Sequence, residues 1–370
     1  MDIRASLAAL SASSGPSGRE QQTLERAMEL LRPLVDEVSR DRFGNLIGVR
    51  RCGKENAKRV VLDAHLDEVG LVITGAKDGF LRFRSVGGID PRMLPDREVT
   101  ILSDPPRFGL VAVLPPHVQR AGDANKSVPM SDLYIDAGLT QEEREMLIGT
   151  FVVTRGPFRP LLGEMVSGKA MDDRAGFVTL LRTAELLKGI PLDVDLYILG
   201  SSREEVNGGG AVVHSFTVAP HCFIAVDVTH ACTPDGPKDE TFPAGKGTVI
   251  GIGSNITRWI SQRFMDKANE LDLPWDLDVM PGHSGTNAWR VQIAREGIAT
   301  GVLSLPLKYM HSPVETLDLR DLEISAQLLA AFVKDLAKEG VDFLAYLYFK
   351  NPLCSAWFLR RILGYAGLSS

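Results

Sequence analysis

Five acidic or imidazole side chains stand where they could do chemistry. They are His65, Asp172, Glu205, Asp227 and His311, and four of them come just after a short apolar run. A run of about five Val, Ile, Leu or Phe residues that ends in a polar cluster is typical of a buried strand in an α/β sheet. Because ligands bind beyond the carboxyl ends of the strands in such a sheet, we expect these side chains at one edge. Carboxylates and imidazoles gathered in this way are typical of a metal site and indicate a hydrolase.

Neighbouring carboxylates have spacings that suit supporting roles. Asp67 lies two residues after His65, where it could accept the second imidazole proton and fix the tautomer of the ring. Hydrolysis at a metal needs one carboxylate to hold the ion and a free one to take a proton from water. The adjacent Glu204 and Glu205 follow an apolar strand directly and could divide these two roles.

Each of these residues also has a purely structural interpretation. A histidine at a strand end is more often hydrogen-bonded to the backbone than bound to a metal, and adjacent glutamates are usually a solvated surface. Asp172 and Asp173 stand where a helix begins, so capping of that helix is the alternative to Asp172 as a carboxylate that bridges two cations. Asp227 could be satisfied by backbone amides. The ordered occurrence of the whole set favours the metal site, and its mixed ligands suit zinc, cobalt or manganese.

Composition and charge limit the class of protein. The 370 residues are 44% hydrophobic and 24% charged, as in soluble globular proteins. Forty-one basic and 47 acidic residues give a net charge of −6 without any basic block, which argues against nucleic-acid binding. No apolar stretch is long enough for a membrane span, and the first residues lack the pattern of a secretory signal. The four cysteines form no CxxC pair and predict reduced thiols in a cytoplasmic protein.

The elements that must position the five residues change in character along the chain. Residues 1–69 and 164–340 alternate helical and strand patterns, which predict a catalytic α/β domain with a mainly parallel sheet. Residues 70–163 consist of short strands with frequent glycine and proline, which predict an inserted small β-barrel or sandwich.

The two ends of the chain carry predictions of their own. Ser17 is interpreted as the cap of a helix that starts near Arg19. Residues 341–370 form an apolar, aromatic tail that is too short and interrupted for a transmembrane span. This tail is interpreted as a helix on its own domain, with an oligomer contact or a membrane-surface segment as alternatives.

These motifs together resemble the M42 family of metallo-aminopeptidases, the cytoplasmic tetrahedral aminopeptidases. The matching segments run in the family's order from about Ser14 to Glu315 and are SGPSGRE, DRFGNLIG, LDAHLDEVG, VGGIDPRMLPDREVTI, GKAMDDRAG, EEVNGGGA, AVDVTHA and KYMHSPVE. AHLDEVG, MDDR and YMHSPVE are highly specific when they occur together. The resemblance therefore covers most of the chain.

The resemblance implies a zinc-peptidase α/β domain with a PDZ-like β insertion that mediates dimerisation. It implies removal of the N-terminal residue from a peptide with two divalent ions, and homo-oligomers from dimer to dodecamer. It assigns the metal ligands as His65 and Glu205 for one ion, Asp227 and His311 for the other, and Asp172 for both. Asp67 would orient His65, and Glu204 would be the general base.

The chain departs from the family pattern at several positions. Arg203 stands where glutamine is usual, and Asn207 and Gly209 replace the usual glycine and arginine. Asn287 replaces the aspartate of GTDA, and Lys308 replaces the arginine of RYMHS. None of these changes removes a metal ligand. All are expected near the bound substrate, so they leave the preferred N-terminal residue open.

Two other functions remain as alternatives. A related two-metal amidohydrolase or carboxypeptidase, acting on N-acylated amino acids, would use the same ligands. The M42-like β insertion argues against it, because the related carboxypeptidases more often carry an α+β dimerisation domain. A non-catalytic metal-binding scaffold of the same fold is the other alternative, and the presence of Glu204 beside all five ligands argues against it.

Overall fold

The computed structural model describes residues 1–118 and 126–336, so the predicted tail, 341–370, and residues 337–340 lie outside the described residues. The helices are α1 (Ile3–Ala12), α2 (Gln21–Leu31), α3 (Gln141–Met146), α4 (Met171–Leu187), α5 (Glu204–Asn207), α6 (Gly209–Val218), α7 (Arg258–Glu270), α8 (Asn287–Val291) and α9 (Leu319–Leu336). The strands before the second half of the chain are β1 (Glu37–Arg40), β2 (Leu46–Arg50), β3 (Lys58–His65), β4 (Gly70–Lys77), β5 (Phe80–Val86), β6 (Glu98–Ile101), β7 (Arg107–Ala112), β8 (Tyr134–Asp136), β9 (Phe151–Thr154), β10 (Arg159–Pro160) and β11 (Met165–Gly168). The remaining strands are β12 (Val194–Ser201), β13 (Cys222–His230), β14 (Thr248–Gly253), β15 (Trp275–Met280), β16 (Ala299–Leu307) and β17 (Glu315–Asp318).

A mixed sheet forms the main body of the fold. Within the described residues it has eight strands in the order β1-β2-β12-β3-β13-β16-β14-β15. Its centre is parallel, because β3 pairs in parallel with β12 and β13, and β13 pairs in parallel with β16. Antiparallel pairs join β1 to β2, β2 to β12 and β14 to β16. The predicted mainly parallel sheet is therefore confirmed.

Helices cover both faces of this sheet, which explains why its central strands are almost continuously apolar. On β13, Ile224 and Val226 belong to the larger hydrophobic cluster, with helix α4 and the helices around it. The alternate residues, Phe223 and Ala225, belong to a second cluster with α6 and α8. Strand alternation thus places successive side chains of one strand in two separate cores.

A closed barrel is inserted in the sequence between β3 and β12, two strands of the large sheet. Its strands are ordered β4-β5-β8-β7-β6-β9 and surround a core that includes Leu71, Phe83 and Val99. The chain enters the barrel soon after β3 and returns through β11, which pairs with β10 and β17 in a small antiparallel sheet. The α/β fold with an inserted β-barrel, predicted from the change in texture, is confirmed.

The predicted role of Ser17 is wrong. Glu20 precedes the first residue of α2 as its N-cap, and its side chain makes no capping hydrogen bond to the described residues. The Ser17 hydroxyl instead donates a hydrogen bond to the carboxylate of Asp67. The serine therefore belongs to the surroundings of the candidate site.

The neighbouring strands β12, β3, β13 and β16 deliver the predicted site residues to one edge of the sheet. His65 is the last residue of β3 and is aligned with Ser201, the last residue of β12. Asp227 lies near the carboxyl end of β13 and is aligned with Ser304 on β16. Glu205 and His311 follow β12 and β16 within a few residues. In residues 1–118 and 126–336, none of the helices combines the length and apolar character that a membrane crossing requires.

Candidate active site

Asp172 lies between two imidazoles. Its Oδ1 is 3.0 Å from Nε2 of His65, and its Oδ2 is 3.3 Å from Nε2 of His311. Asp172 and His65 are buried, with 5% and 2% of their surface exposed, whereas the His311 side chain is 29% exposed. The two oxygens of one carboxylate thus reach nitrogen atoms from two different segments.

Glu205 completes the first group of possible ligands. Its Oε1 lies 3.2 Å from Nε2 of His311 and is shielded from solvent, without a hydrogen-bond partner among the described residues. His65, Asp172 and Glu205 each offer a ligand atom within 4.8 Å of the other two. The structure therefore brings together three of the five predicted ligands, with His311 in contact with two of them.

Asp227 belongs to a different group. Its ligand atom lies within 4.8 Å of those of His65 and Asp173. Asp173 is fully buried, and its Oδ1 accepts a hydrogen bond from the Gly176 backbone nitrogen at 3.0 Å. Its Oδ2 has no partner within residues 1–118 and 126–336. Among the described residues, Asp227 and His311 do not share such a group. Asp173 is the additional carboxylate that the structure places beside the predicted set.

Asp67 connects His65 with the glutamate pair. Its carboxylate accepts hydrogen bonds from the backbone nitrogens of Glu204 at 3.0 Å and Glu205 at 3.2 Å. Nδ1 of His65 lies 3.2 Å from the carbonyl oxygen of Asp67 and 3.5 Å from its Oδ1. The carbonyl is thus the nearer acceptor for the imidazole proton, and the carboxylate holds the turn that presents the glutamates.

Crowding of buried carboxylates shifts their pKa values. Burial raises the pKa of Asp227 to about 8, helped by Asp172 and opposed by His65. Burial also raises the pKa of Glu204 and that of Asp173 well above their ordinary values, and Asp227 adds to both shifts. Such crowding disfavours ionised carboxylates unless positive charge is placed among them.

The two histidines respond in the opposite direction. Burial opposes the charged form of His311, yet its contacts with Asp172 and Glu205 raise its pKa to about 11. Burial likewise opposes the charged form of His65, while Asp172 and Asp67 raise its pKa well above the ordinary value. The same contacts hold the pKa of Asp172 below its usual range. The centre therefore attracts positive charge strongly.

These residues fit a divalent metal site. In the part of the chain that the structure describes, Glu205 Oε1 and Asp173 Oδ2 are buried oxygens without hydrogen-bond partners, although buried polar atoms normally have one. The donor set combines carboxylate oxygen with imidazole nitrogen, which suits zinc and related ions. A divalent cation among them would give both oxygens a partner and would balance the crowded carboxylates in place of the imidazole protons.

The barrel closes one side of the centre through two glycines. A Cβ atom on Gly88 would lie 3.4 Å from Nδ1 of His311. Gly87 has a φ of +82°, and a Cβ atom there would lie 2.9 Å from Val69 and 3.4 Å from the Cβ of Glu205. Backbone of the barrel thus lies directly beside the candidate ligands, and at Gly87 the positive φ and the contact with Val69 leave no room for a side chain.

Glu315 is a residue of the site that the motif alone did not identify. It lies in KYMHSPVE, and its carboxylate contacts the backbone of both Asp172 and His311. In the sequence it is only the last residue of that motif, which is indistinguishable from a surface glutamate. In the structure it is 2% exposed.

Asn287 does not lie where substrate contact was expected. It is 2% exposed, and its Nδ2 donates to Asp63 Oδ2 at 2.7 Å and to Ser201 Oγ at 2.9 Å. Arg203, by contrast, is partly accessible and stacks on Phe43, with its guanidinium carbon 4.6 Å from the ring centre. Of these two departures from the family pattern, only Arg203 is available to a ligand.

Comparison with known proteins identifies relatives along most of the chain. The family model for M42 glutamyl aminopeptidase matches residues 44–328. Lysyl aminopeptidase of Pyrococcus furiosus is 33% identical over 332 residues, which cover 88% of this chain and 94% of that protein. These matches are to aminopeptidases, so the amidohydrolase and scaffold alternatives are not favoured.

Two solved structures of similar fold are also aminopeptidases or peptidases. A TET aminopeptidase from a marine sediment archaeon of the Thaumarchaeota superimposes with a TM-score of 0.86 at 28% identity, covering 91% of this chain and 98% of that one. The TET1 peptidase of Pyrococcus horikoshii, described as assembling into a tetrahedron or a large octahedral shell, has a TM-score of 0.78 at 30% identity. It covers 91% of this chain and 100% of its own. The fold and these matches show that the chain is a peptidase and belongs to the M42 family of aminopeptidases.

Proposed function

We propose that the chain removes the N-terminal residue from peptides at a centre of two divalent metal ions, zinc or cobalt. The observation that carries this proposal is the position of Asp172, whose two oxygens reach Nε2 of His65 at 3.0 Å and Nε2 of His311 at 3.3 Å. A carboxylate shared between two nitrogen donors has the arrangement that a bridging ligand requires. Manganese is a third ion that this donor set accommodates.

The proposal divides the ligands between the two ions. His65 and Glu205 would hold one ion, Asp227 and His311 would hold the other, and Asp172 would bridge them. The proximity of His65, Asp172 and Glu205 supports the first half of this assignment. Asp172 rather than Asp173 is assigned as the bridge, because both oxygens of Asp172 face imidazoles, whereas one oxygen of Asp173 already accepts the backbone hydrogen bond from Gly176.

Metal ions bound there supply Lewis acidity, which polarises a scissile carbonyl and lowers the pKa of water. Glu204 is the proposed general base, which takes a proton from water and passes it to the leaving amine. Burial favours the protonated form of Glu204 and raises its pKa. A general base is most effective when its pKa lies near the pH at which the enzyme works, so this shift suits the role. Asp67 fixes the backbone of Glu204 and thereby its position.

The remaining elements of the proposal concern substrate, assembly and location. The free N-terminus would be bound near the metal ions, which limits cleavage to one end of the peptide. The preferred residue is open, because the relatives carry both lysyl and glutamyl names. Assembly into homo-oligomers is supported by the TET1 relative. A cytoplasmic location is supported by Cys52, Cys222 and Cys232, which are free thiols in the described part of the chain.

The test combines metal analysis with a substrate panel. Purified protein, with zinc or cobalt added, is given aminoacyl-p-nitroanilides that include Lys and Glu, each beside its N-acetylated counterpart as a matched control. About two ions per chain, with chelator-sensitive cleavage of the free amines alone, is the expected result. Equal cleavage of the blocked compounds would contradict recognition of the N-terminus, and failure to bind metal would contradict the proposed centre.

A further inference from the structure

Glu315 stands at the point where the two segments that carry Asp172 and His311 come together. It is the first residue of β17 and is aligned with Gly168, the last residue of β11, in an antiparallel pair. From Gly168 the chain runs to Asp172, and from His311 it runs to Glu315. The small antiparallel sheet therefore brings two ligand segments together that are remote in sequence.

Both carboxylate oxygens of Glu315 are used by backbone donors of these segments. Oε2 accepts hydrogen bonds from the backbone nitrogens of Met171 at 2.6 Å and Asp172 at 3.2 Å. Oε1 accepts one from the backbone nitrogen of His311 at 2.8 Å. One buried side chain thus fixes the main chain of the proposed bridging ligand and of a proposed terminal ligand at once.

The two segments need such support because their backbone is unusual. Ala170 has a φ of +53°, Tyr309 of +61° and His311 of +60°, although none of them is glycine. A non-glycine residue rarely adopts this conformation and keeps it only where the surrounding structure over-determines it. The hydrogen bonds of Glu315 supply that constraint next to Ala170 and at His311 itself.

We propose that Glu315 is a positioning residue, whose carboxylate sets the separation of Asp172 and His311 and so the geometry of the metal centre. This inference rests on the proposed metal-dependent function. Glu315 is not itself assigned as a ligand, because its two oxygens already accept three backbone hydrogen bonds and it is in neither group of close ligand atoms among the described residues.

Replacement of Glu315 by glutamine tests this role with little change in size. The carboxamide keeps one acceptor oxygen, and its NH2 group faces a backbone N–H. One of the two segments therefore loses its hydrogen bond to residue 315. Removal of groups that orient metal ligands typically weakens metal binding roughly 10- to 100-fold. We expect a loss of this size for at least one of the two ions in Glu315→Gln, measured by competition with a chelator.

A second carboxylate of the chain provides a matched control. Asp321 is fully buried and accepts hydrogen bonds from the backbone nitrogens of Gly245 at 2.7 Å and Gly247 at 2.8 Å. It therefore holds a loop in the same way as Glu315, but a loop without a proposed ligand. Asp321→Asn should lower thermal stability and leave metal affinity unchanged.

The absorption spectrum of the cobalt-loaded protein gives a readout that general destabilisation would not move. In Glu315→Gln the d–d bands should shift or weaken relative to wild type, whereas in Asp321→Asn they should not. Glu315→Asp keeps both acceptor oxygens and should retain more metal affinity than Glu315→Gln. The aspartate variant also tests the role if the glutamine variant does not fold. Wild-type affinity and spectrum in folded Glu315→Gln would overturn the inference. Absence of metal binding by wild type would instead overturn the proposed function.

Discussion

The carboxylate of Asp67 accepts a hydrogen bond from the backbone nitrogen of Glu204 at 3.0 Å. The same carboxylate accepts the backbone nitrogen of Glu205 and the hydroxyl of Ser17, and it is fully buried. Arg203, which precedes the pair, has a φ of +59°. Asp67 therefore constrains a strained turn that carries one proposed metal ligand and the proposed general base.

Replacement of Asp67 by asparagine should uncouple these parts. An asparagine retains one acceptor oxygen and turns an NH2 group toward backbone donors. The turn that carries Glu204 and Glu205 is then no longer held in place relative to His65. We expect kcat/KM for an aminoacyl-p-nitroanilide to fall roughly 10- to 100-fold. In Asp321→Asn, which removes a similar loop contact elsewhere, kcat/KM should fall far less. Equal losses in the two variants would contradict a specific role of Asp67.

Replacement of Glu204 by glutamine should separate metal binding from turnover. The carboxamide cannot carry the proton from water to the leaving amine, and general acid–base catalysis contributes on the order of 10²- to 10⁴-fold. A fall in kcat of that size is expected, with an unchanged number of bound ions. Glu205→Gln is the informative counterpart, since it should reduce metal affinity as well. Undiminished kcat in Glu204→Gln would contradict the assigned base.

The pKa shifts predict how pH affects the metal-free protein. The pKa of Asp227 is about 8 in the fold and 3.8 ordinarily, so the unfolded chain loses this proton first as pH rises through that window. The pKa of His311 is about 11 in the fold and 6.5 ordinarily, so its stabilising charge is lost between those values. Both effects lower stability as pH increases. Asp172 does not alter this trend, because its lowered pKa affects stability only in strong acid.

Thermal unfolding with and without zinc measures the effect. The chelated protein should lose stability between about pH 6.5 and pH 8, above the range in which His214 and His221, whose pKa values burial lowers to about 4, add stability as pH rises. The increase in Tm caused by zinc should grow over the same range, because metal ligands must be deprotonated to bind. Asp227→Asn should flatten the decline of the chelated protein. A chelated protein that becomes more stable across this range would show that the carboxylates are not crowded as the structure indicates.

The positions of the proposed ligands were largely predictable because strand ends carry a local signal. His65 and Asp227 close apolar runs, and the parallel pairing of β3, β13 and β16 then puts such ends on one edge. The inserted barrel was predictable for the same kind of reason, since short strands and dense glycine and proline are read within a short window. Local sequence patterns thus predict both the fold class and the candidate site residues.

The contacts that hold those residues were not predictable in this way. Glu315 binds the backbone of Met171 from 144 residues away, and Asn287 donates to Asp63 from 224 residues away. Ser17 was interpreted as a helix cap because serine before a helix usually is one, whereas its partner is Asp67. A polar residue reveals whether it faces solvent or a buried donor only once the tertiary fold brings the partner to it.

The buried network around Glu68 predicts a large effect on stability. Glu68 is 4% exposed and accepts hydrogen bonds from Lys169 Nζ at 2.8 Å and from Arg174 at 2.9 Å. Burial lowers the pKa of Lys169 to about 8, so the lysine is still mainly charged at pH 7 and needs its counter-ion. Glu68→Gln leaves two buried cations without a full partner, which costs about 3–5 kcal/mol.

Urea unfolding at pH 7 measures this loss, and an exposed ion pair supplies the control. Arg26 and Glu29 lie 2.6 Å apart on α2 with side chains that are 51% and 65% exposed. Solvent screens such a pair, so Glu29→Gln should change the free energy of unfolding by less than about 1 kcal/mol. A similar small change for Glu68→Gln would mean that water or a rearranged side chain compensates the cations. The expected large difference would identify Glu68 as the counter-ion that allows Lys169 and Arg174 to be buried beside the proposed metal ligands.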